Sequence, residues 1–398
     1  MQLSDWSSAE RTATASLPCE CTDNGAEVSE TDAAVLLELG TSAASFTLEN
    51  RHLFFSERTQ ELFELNATAA GLIDRLRKRE PLDVFRLELT ESFSGQSDEA
   101  ERLIIDWSEK GIVGASIDWD HPYLRKGPAA HLPLNDISVE IRFGGDSFGR
   151  LLATAYGHLC QEGLADYRAA AVPAGNLAVV QVEGRPASIV PRPEAGAELR
   201  ARLVELVLDC SDTVALHAAC LVGRRGAILL TGGPGTGKST LAATLSGGRL
   251  ACEGDDIVLL DPVRCAVKGV PLPLTIKEGA WGLIDKDWPE FIDCPAVRRK
   301  DQKKVRYLPL QSVSTVEWMP VRAFVDLRRE DGARPSIHPL SKIDCLRKLC
   351  GEAHVKSGNC TPQILAAMIA MVNRAEALQL RYDEASNAAN VLERHLGL

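Results

Sequence analysis

The stretch GAILLTGGPGTGKSTLAATLS, residues 226–246, constrains this chain more than any other. Residues 232–239 read G-x-x-x-x-G-K-S, preceded by the apolar run AILLT and followed by the helix-forming run STLAATLS. Strand, glycine loop and helix in that order form a P-loop. The glycines let successive backbone N–H groups turn inward around phosphate oxygens, and the helix N-terminus adds partial positive charge. Lys238 is expected on the β- and γ-phosphates and the Ser239 hydroxyl on Mg²⁺. Gly232, Gly233, Pro234, Gly235, Thr236, Gly237 and Thr240 complete the cradle. The ligands implied are ATP and Mg²⁺.

The flanks narrow the chemistry. Asp255 and Asp256 follow Ser239 by sixteen and seventeen residues, at the end of the short run RLACEG. An adjacent acid pair can divide labour, Asp255 holding Mg²⁺ or its water and Asp256 accepting the proton of an attacking hydroxyl. A metal site without a base and a plain acidic turn are the alternative readings of the residues. His217 lies in VALHAACLV, expected as one strand that returns through the turn GRRG into the P-loop strand. Neighbouring strands lie about 5 Å apart, so the imidazole can face the nucleotide; a packed core histidine is the plainer reading. Lys277 and Glu278 in LTIKEGAW, and Arg306 in KKVRYLPL, are candidates to face the transferred phosphate, with a solvated Lys–Glu turn as the alternative.

The rest of the chain divides by pattern. Residues 1–43 are rich in Ser, Thr, Ala and acids, and read as a poorly ordered leader with one short helix at DAAVLLELG. From 44 to 116, SFTLENRHLFFSERTQELFEL alternates as a hairpin or meander. Asn66 caps a helix over ATAAGLIDRLRKR, Pro81 starts a second, and Ser97 caps a third over DEAERLIIDWSEKG, a compact winged-helix-like unit. Residues 117–136 have the Pro, Gly and Asp content of a linker. Residues 137–398 form the last domain, with outer strands over 137–200 (ISVEIRF, LAVVQVEG) and a core over 201–398. There, a helix over TPQILAAMIAMVNRAEAL starts at Thr361–Pro362, and Asp383 caps the last one. The expected class is mixed α/β.

A strand ending in LH, a hairpin, a P-loop and a short strand ending in an acid pair resemble the HPr kinase/phosphorylase family. His217 precedes Lys238 by 21 residues and Asp256 follows Ser239 by 17, both as in that family. The resemblance covers roughly 200–398 and is tight over 216–256. It implies a kinase core similar to phosphoenolpyruvate carboxykinase, with the P-loop in a mixed, partly antiparallel sheet. It also implies that Lys238 binds phosphates, Ser239 binds Mg²⁺, Asp256 with Asp255 beside it accepts the proton of a serine hydroxyl, and His217 belongs to the active site. Downstream, the bifunctional members carry a glycine-rich, Glu-containing signature where this chain reads GVPLPLTIKEGAWGLI. That is closer to the HPr-kinase-related proteins, so neither phosphorolysis nor HPr as acceptor is implied. Residues 44–116 resemble PqqD-like domains through the β-ribbon before Leu65–Asn66, TAAGLIDRL and AERLIIDWSEKGIV. Such domains bind leader peptides of ribosomal natural products as an added strand on a sheet edge.

Bulk composition removes several classes. With 55 acidic and 44 basic residues the net charge is −11, which disfavours a nucleic-acid surface. No apolar run approaches a bilayer span, and the N-terminus reads as no signal peptide. Eleven scattered cysteines, with Cys19/Cys21 and Cys345/Cys350 lacking a four-ligand zinc pattern, suit a reducing, cytoplasmic setting. The expectation is therefore a cytoplasmic kinase that phosphorylates a hydroxyl, most plausibly Ser, of a peptide or protein held through residues 44–116, with a homo-oligomer left open. The rival readings are a kinase for an amino acid or sugar and a non-catalytic, nucleotide-gated binding protein.

Overall fold

The computed structural model describes residues 34–398 apart from 42, 146, 158–163, 212, 247–249, 311–316 and 357. The leader up to residue 33, with Cys19 and Cys21, lies outside the described residues. The chain is mixed α/β, with eleven α-helices among the described residues. It divides into two compact units, one of residues 1–127 with 170–195 and one of 128–169 with 196–398.

The first unit opens with a strand where a short helix was expected. Within DAAVLLELG, Val35–Leu39 is β1, with Val35 and Leu37 buried. The alternation of this short run, and its partners on both sides, override the helix preference of Leu and Glu. Strands β2 (Ala43–Leu48), β3 (Arg51–Ser56) and β4 (Glu61–Leu65) form the expected antiparallel meander. Helix α1 (Ala67–Leu76) starts at Asn66, whose side chain accepts from the Ala69 N–H at 2.8 Å. Strand β5 (Glu80–Pro81), α2 (Leu82–Ser92), α3 (Ser97–Glu109) and β6 (Val113–Ile117) follow, with β1 running antiparallel between β5 and β6. Ser97 does not cap α3: Gln96 holds that position without a side-chain hydrogen bond, and Ser97 is already helical. Phe54, Ile73, Phe85, Ile104 and Trp107 fill the core between these elements.

Residues 117–136 are structured rather than a linker. They carry α4 (Pro122–Lys126) and β7 (Ala129–Leu134), which turns at Asn135 into β8 (Ile137–Phe143) as an antiparallel hairpin. Leu132, Leu134, Val139 and Ile141 are fully buried, which fixes the hairpin despite Pro133. Helix α5 (Ser147–Thr154) and β9 (Tyr167–Ala174), β10 (Leu177–Val182) and β11 (Ser188–Pro191) come next. Contrary to the assignment of 137–200 to one domain, 170–195 group with the first unit. Val172, Leu177, Val179 and Ile189 enter its core, and the Ile117 N–H donates to the Gln181 side chain at 3.0 Å.

The second unit is built on α6 (Ala195–Cys210), β12 (Val214–Leu216), β13 (Ala219–Gly223), β14 (Gly226–Thr231), α7 (Lys238–Ser246) and β15 (Ala251–Gly254). Then come β16 (Val258–Asp261), β17 (Ala266–Gly269), β18 (Leu274–Lys277), α8 (Trp281–Asp287), β19 (Ala296–Arg298), β20 (Lys304–Leu308) and β21 (Val321–Arg329). It closes with β22 (Ser336–Pro339), α9 (Lys342–Glu352), β23 (Ala353–Val355), α10 (Pro362–Arg374), β24 (Glu376–Tyr382) and α11 (Ala385–Leu396).

Its main sheet has the order β15-β13-β14-β21-β24-β22, with β14, β21 and β24 parallel and the other pairs antiparallel. The parallel strands are covered on both faces, so they read as unbroken apolar runs. Ile228 and Leu230 pack with Leu241 of α7, while Leu229 and Phe324 pack with Met368 and Met371 of α10. A second sheet runs β17-β16-β12-β23.

Two expectations fail here for one reason, that sheet pairing overrides local pattern. VALHAACLV is two strands in different sheets, broken at His217–Ala218. The helix expected over TPQILAAMIAMVNRAEAL ends at Arg374, because Ala377 and Leu378 pair with Phe324 and Val325 in β21. Asp383 caps no helix; Glu384 precedes α11, and the Asp383 carboxylate accepts from the Gly332 N–H at 2.9 Å.

Candidate active site

The P-loop forms at the C-terminal end of β14 because its sequence tolerates backbone that other residues do not. Gly232, Gly235 and Gly237 have φ of 139°, 86° and 92°. At Gly237 a Cβ would also stand 2.6 Å from the Tyr382 hydroxyl, which donates to the Thr236 carbonyl at 2.6 Å. The Thr236 N–H and hydroxyl close the turn on the Gly233 carbonyl at 3.3 and 2.9 Å. Gly233, Pro234 and Gly235 are exposed, and Ser239 and Thr240 are half-buried in the first turn of α7. Lys238 is buried and its ammonium donates to the Gly232 carbonyl at 2.7 Å. Burial lowers its pKa, against the charges of Glu352, Asp256 and Asp255; Lys277 adds to the lowering.

The acid pair follows from one glycine. Gly254 ends β15 at φ 139°, and a Cβ there would lie 2.3 Å from the Val270 carbonyl. The turn it permits sends the two carboxylates to different surroundings. Asp255 is 2% exposed; one oxygen accepts from Arg200 at 3.0 Å and the other from the Thr275 N–H at 2.9 Å. Asp256 is 42% exposed and stands between Arg200, at 3.3 Å, and His217, whose Nδ1 is 3.1 Å away. Burial pushes Asp256 up, but the hydrogen bond from His217 and the charges of Arg200, His217 and Lys238 outweigh it and hold it well below the carboxylate range. The same hydrogen bond raises His217, against burial and the charge of Lys238.

Lys238, His217, Asp255 and Asp256 are therefore gathered in one place, and Lys277, two residues beyond Thr275 on β18, reaches the field of Lys238. Glu278 and Arg306 are occupied otherwise. Glu278 is exposed and 3.9 Å from Lys304. Arg306 lies over the Trp281 and Phe291 rings, 4.4 and 5.5 Å from their centroids, and donates to the Phe291 carbonyl at 3.4 Å.

Arg200 escaped the sequence reading. It is a buried guanidinium on α6 that grips both acids, and their charges raise its pKa despite the desolvation that opposes them. A signal existed: Arg200 is spaced three and seven residues before the apolar Leu203 and Val207 on α6, and a charge on an apolar helix face demands a buried partner. Glu352 also escaped. Its backbone carbonyl accepts from the His217 N–H at 3.0 Å, and nothing in its local sequence announces this.

The His217–Asp256 pair has a defined pH window. The raised His217 contributes stability that is full below the unfolded histidine pKa and is lost as pH rises through its folded value. The depressed Asp256 contributes stability present above the unfolded Asp pKa and lost as pH falls through its folded value. The pair is thus complete between about pH 4 and 6.5. Unfolding free energy measured in urea is expected to decline as pH rises above that window, and His217→Gln should remove this part of the decline. An identical slope in the variant would refute the pairing.

No family model and no curated protein sequence matches this chain. Among the described residues, no helix is long and apolar enough to cross a membrane.

Proposed function

We propose that the chain is an ATP- and Mg²⁺-dependent kinase of the HPr-kinase-like type, transferring the γ-phosphate to a hydroxyl, in the first place that of a serine on a peptide or protein. The observation that carries this is Asp256: a half-exposed carboxylate, kept ionised by Arg200 and His217, within the field of the P-loop lysine. A generic nucleotide switch needs no such group. A phosphotransferase needs an ionised acceptor for the proton of the attacking hydroxyl.

The geometry supports one set of roles. The Gly232–Thr240 loop and Lys238 hold the phosphates. Asp256 accepts the proton. Arg200 and Asp255 fix Asp256, since Asp255 has both oxygens engaged. Lys277 offers positive charge near the transferred group, and His217 orients Asp256.

Among the described residues no group of three or more His, Cys, Asp or Glu side chains converges to hold a metal. Mg²⁺ carried in with nucleotide phosphates needs only one or two protein oxygens. Asp255, the expected carboxylate ligand, is buried with both oxygens engaged by Arg200 and the Thr275 N–H, whereas the Ser239 hydroxyl supplies that donor type. Bound there, Mg²⁺ would neutralise charge on the β- and γ-oxygens.

The first unit is proposed as a PqqD-like leader-peptide module. Its meander leaves β2 and β4 as edge strands, and Phe46, Leu48 and Leu62 on them are exposed. An edge of that kind accepts an extra strand, and tethering a leader there would raise the acceptor's effective concentration at the kinase site.

The test is transfer from γ-labelled ATP into a lysate of the source cells, with Lys238→Ala as control. Label on a peptide or protein, absent with the variant, supports the reading. Label only on small molecules makes this an amino-acid or sugar kinase. Nucleotide binding without any variant-sensitive transfer sinks the kinase reading and leaves a nucleotide-gated binding protein.

A further inference from the structure

The P-loop and His217 belong to different sheets. Strand β14 delivers the loop from the six-stranded sheet, and β12 delivers His217 from the four-stranded one. No ladder joins β12 to β14. On one side of His217 the chain passes through Ala218 into β13, whose Ala219 pairs with Leu230 of β14; on the other side β12 and its neighbours hold the imidazole.

Helix α9 touches both sides. Near its end, Lys348 pairs at 3.1 Å with Asp326 of β21, a carboxylate 2% exposed. Asp326 is in register with Thr231, the residue immediately before the loop. Its second oxygen accepts from Arg328 Nε at 3.2 Å and from the Gln379 amide at 3.4 Å; Lys348 links it to α9, whose Cys345 and Leu349 also pack with Phe324 of the same strand.

One helical turn further, Glu352 receives the His217 N–H at 3.0 Å, and the chain runs directly into β23, which pairs with β12. The Leu216–Ala353 register continues outward to place His217 opposite Glu352. The Glu352 charge is felt by both His217 and Lys238. The start of α9 is tied down as well, through Lys342 donating to the Val372 carbonyl at 2.6 Å and to Ala375 at the end of α10.

We propose that Lys348 and Asp326 are positioning residues: their ion pair, buried at Asp326 and partly exposed at Lys348, docks α9 on the strand beside the P-loop and so sets the place of His217 relative to bound phosphate. Neither residue touches the reacting groups. The catalytic arm of this proposal rests on the kinase reading; the geometric arm does not.

The experiment compares Lys348→Met, which keeps length and removes charge, with Lys348→Arg, using the full chain. Nucleotide affinity is measured by titration with ATP. The imidazole signals of His217, assigned with His217→Gln, are followed by NMR as ATP is added. In the unaltered chain ATP is expected to shift the His217 signals. In Lys348→Met, ATP should bind with affinity within about threefold of the unaltered chain, while the His217 response is lost and kcat falls by about tenfold or more, as for displaced catalytic groups. Lys348→Arg should restore both. A His217 response unchanged in a folded Lys348→Met protein overturns the proposal, and so does a loss that Lys348→Arg fails to restore. If the unaltered chain transfers no phosphate, the kinase reading fails alone, because the His217 response still decides the positioning claim.

Discussion

An Asp256→Asn variant is expected to bind ATP as the unaltered chain does and to lose about 10²- to 10⁴-fold in transfer rate, the range for removal of a general base. The substitution keeps shape and leaves one oxygen for Arg200, with the amide nitrogen facing His217, so the cradle survives. It removes an accessible, ionised carboxylate that can take a proton beside the P-loop. His217 loses the hydrogen bond that most raises its pKa and should titrate closer to an ordinary histidine. Since Asp256 is held well below the carboxylate range, the rate in the unaltered chain should show no acid limb from this group at moderately acidic pH. Single-turnover kinetics with ATP affinity measured separately would check this. A kcat within about tenfold of the unaltered chain would assign Asp256 to metal binding or turn chemistry instead.

The second large effect is on stability. Arg200→Leu is expected to destabilise the second unit by about 3–5 kcal/mol, because it strands the buried Asp255 carboxylate with only the Thr275 N–H. The double variant Arg200→Leu/Asp255→Leu should recover much of that loss, since apolar replacement of a whole buried pair costs little. It should not recover transfer, because Asp256 then has no guanidinium to hold it. Urea denaturation of the three proteins separates the terms. An unchanged midpoint in Arg200→Leu would mean that Asp255 is neutral or wetted, and that Arg200 does not organise the acid pair.

Where local rules govern, residues and structure agree. Asn66 caps α1 because an Asx side chain before an apolar helical stripe has one obvious use. The strand, glycine loop and helix around Lys238 form as expected, since only glycine accepts the angles found at residues 232, 235 and 237. Where pairing over long range governs, they part. Val35–Leu39 looks like a weak helix and becomes a strand because β5 and β6 supply partners far away in sequence. The proline-containing run at 129–134 becomes a strand through its hairpin with β8, held by the burial of Leu132 and Leu134.

The site divides in the same way. By itself the sequence determined the phosphate cradle and the acids that follow it, because backbone angles and short-range spacing are written in consecutive residues. The tertiary structure alone decided what those acids are worth. It buries Asp255 and leaves Asp256 half-exposed, brings Arg200 to both from 55 and 56 residues away, and sets His217 between Asp256 and Glu352. Charge, burial and reach are properties of neighbours, and these neighbours meet only when separate sheets and helices pack.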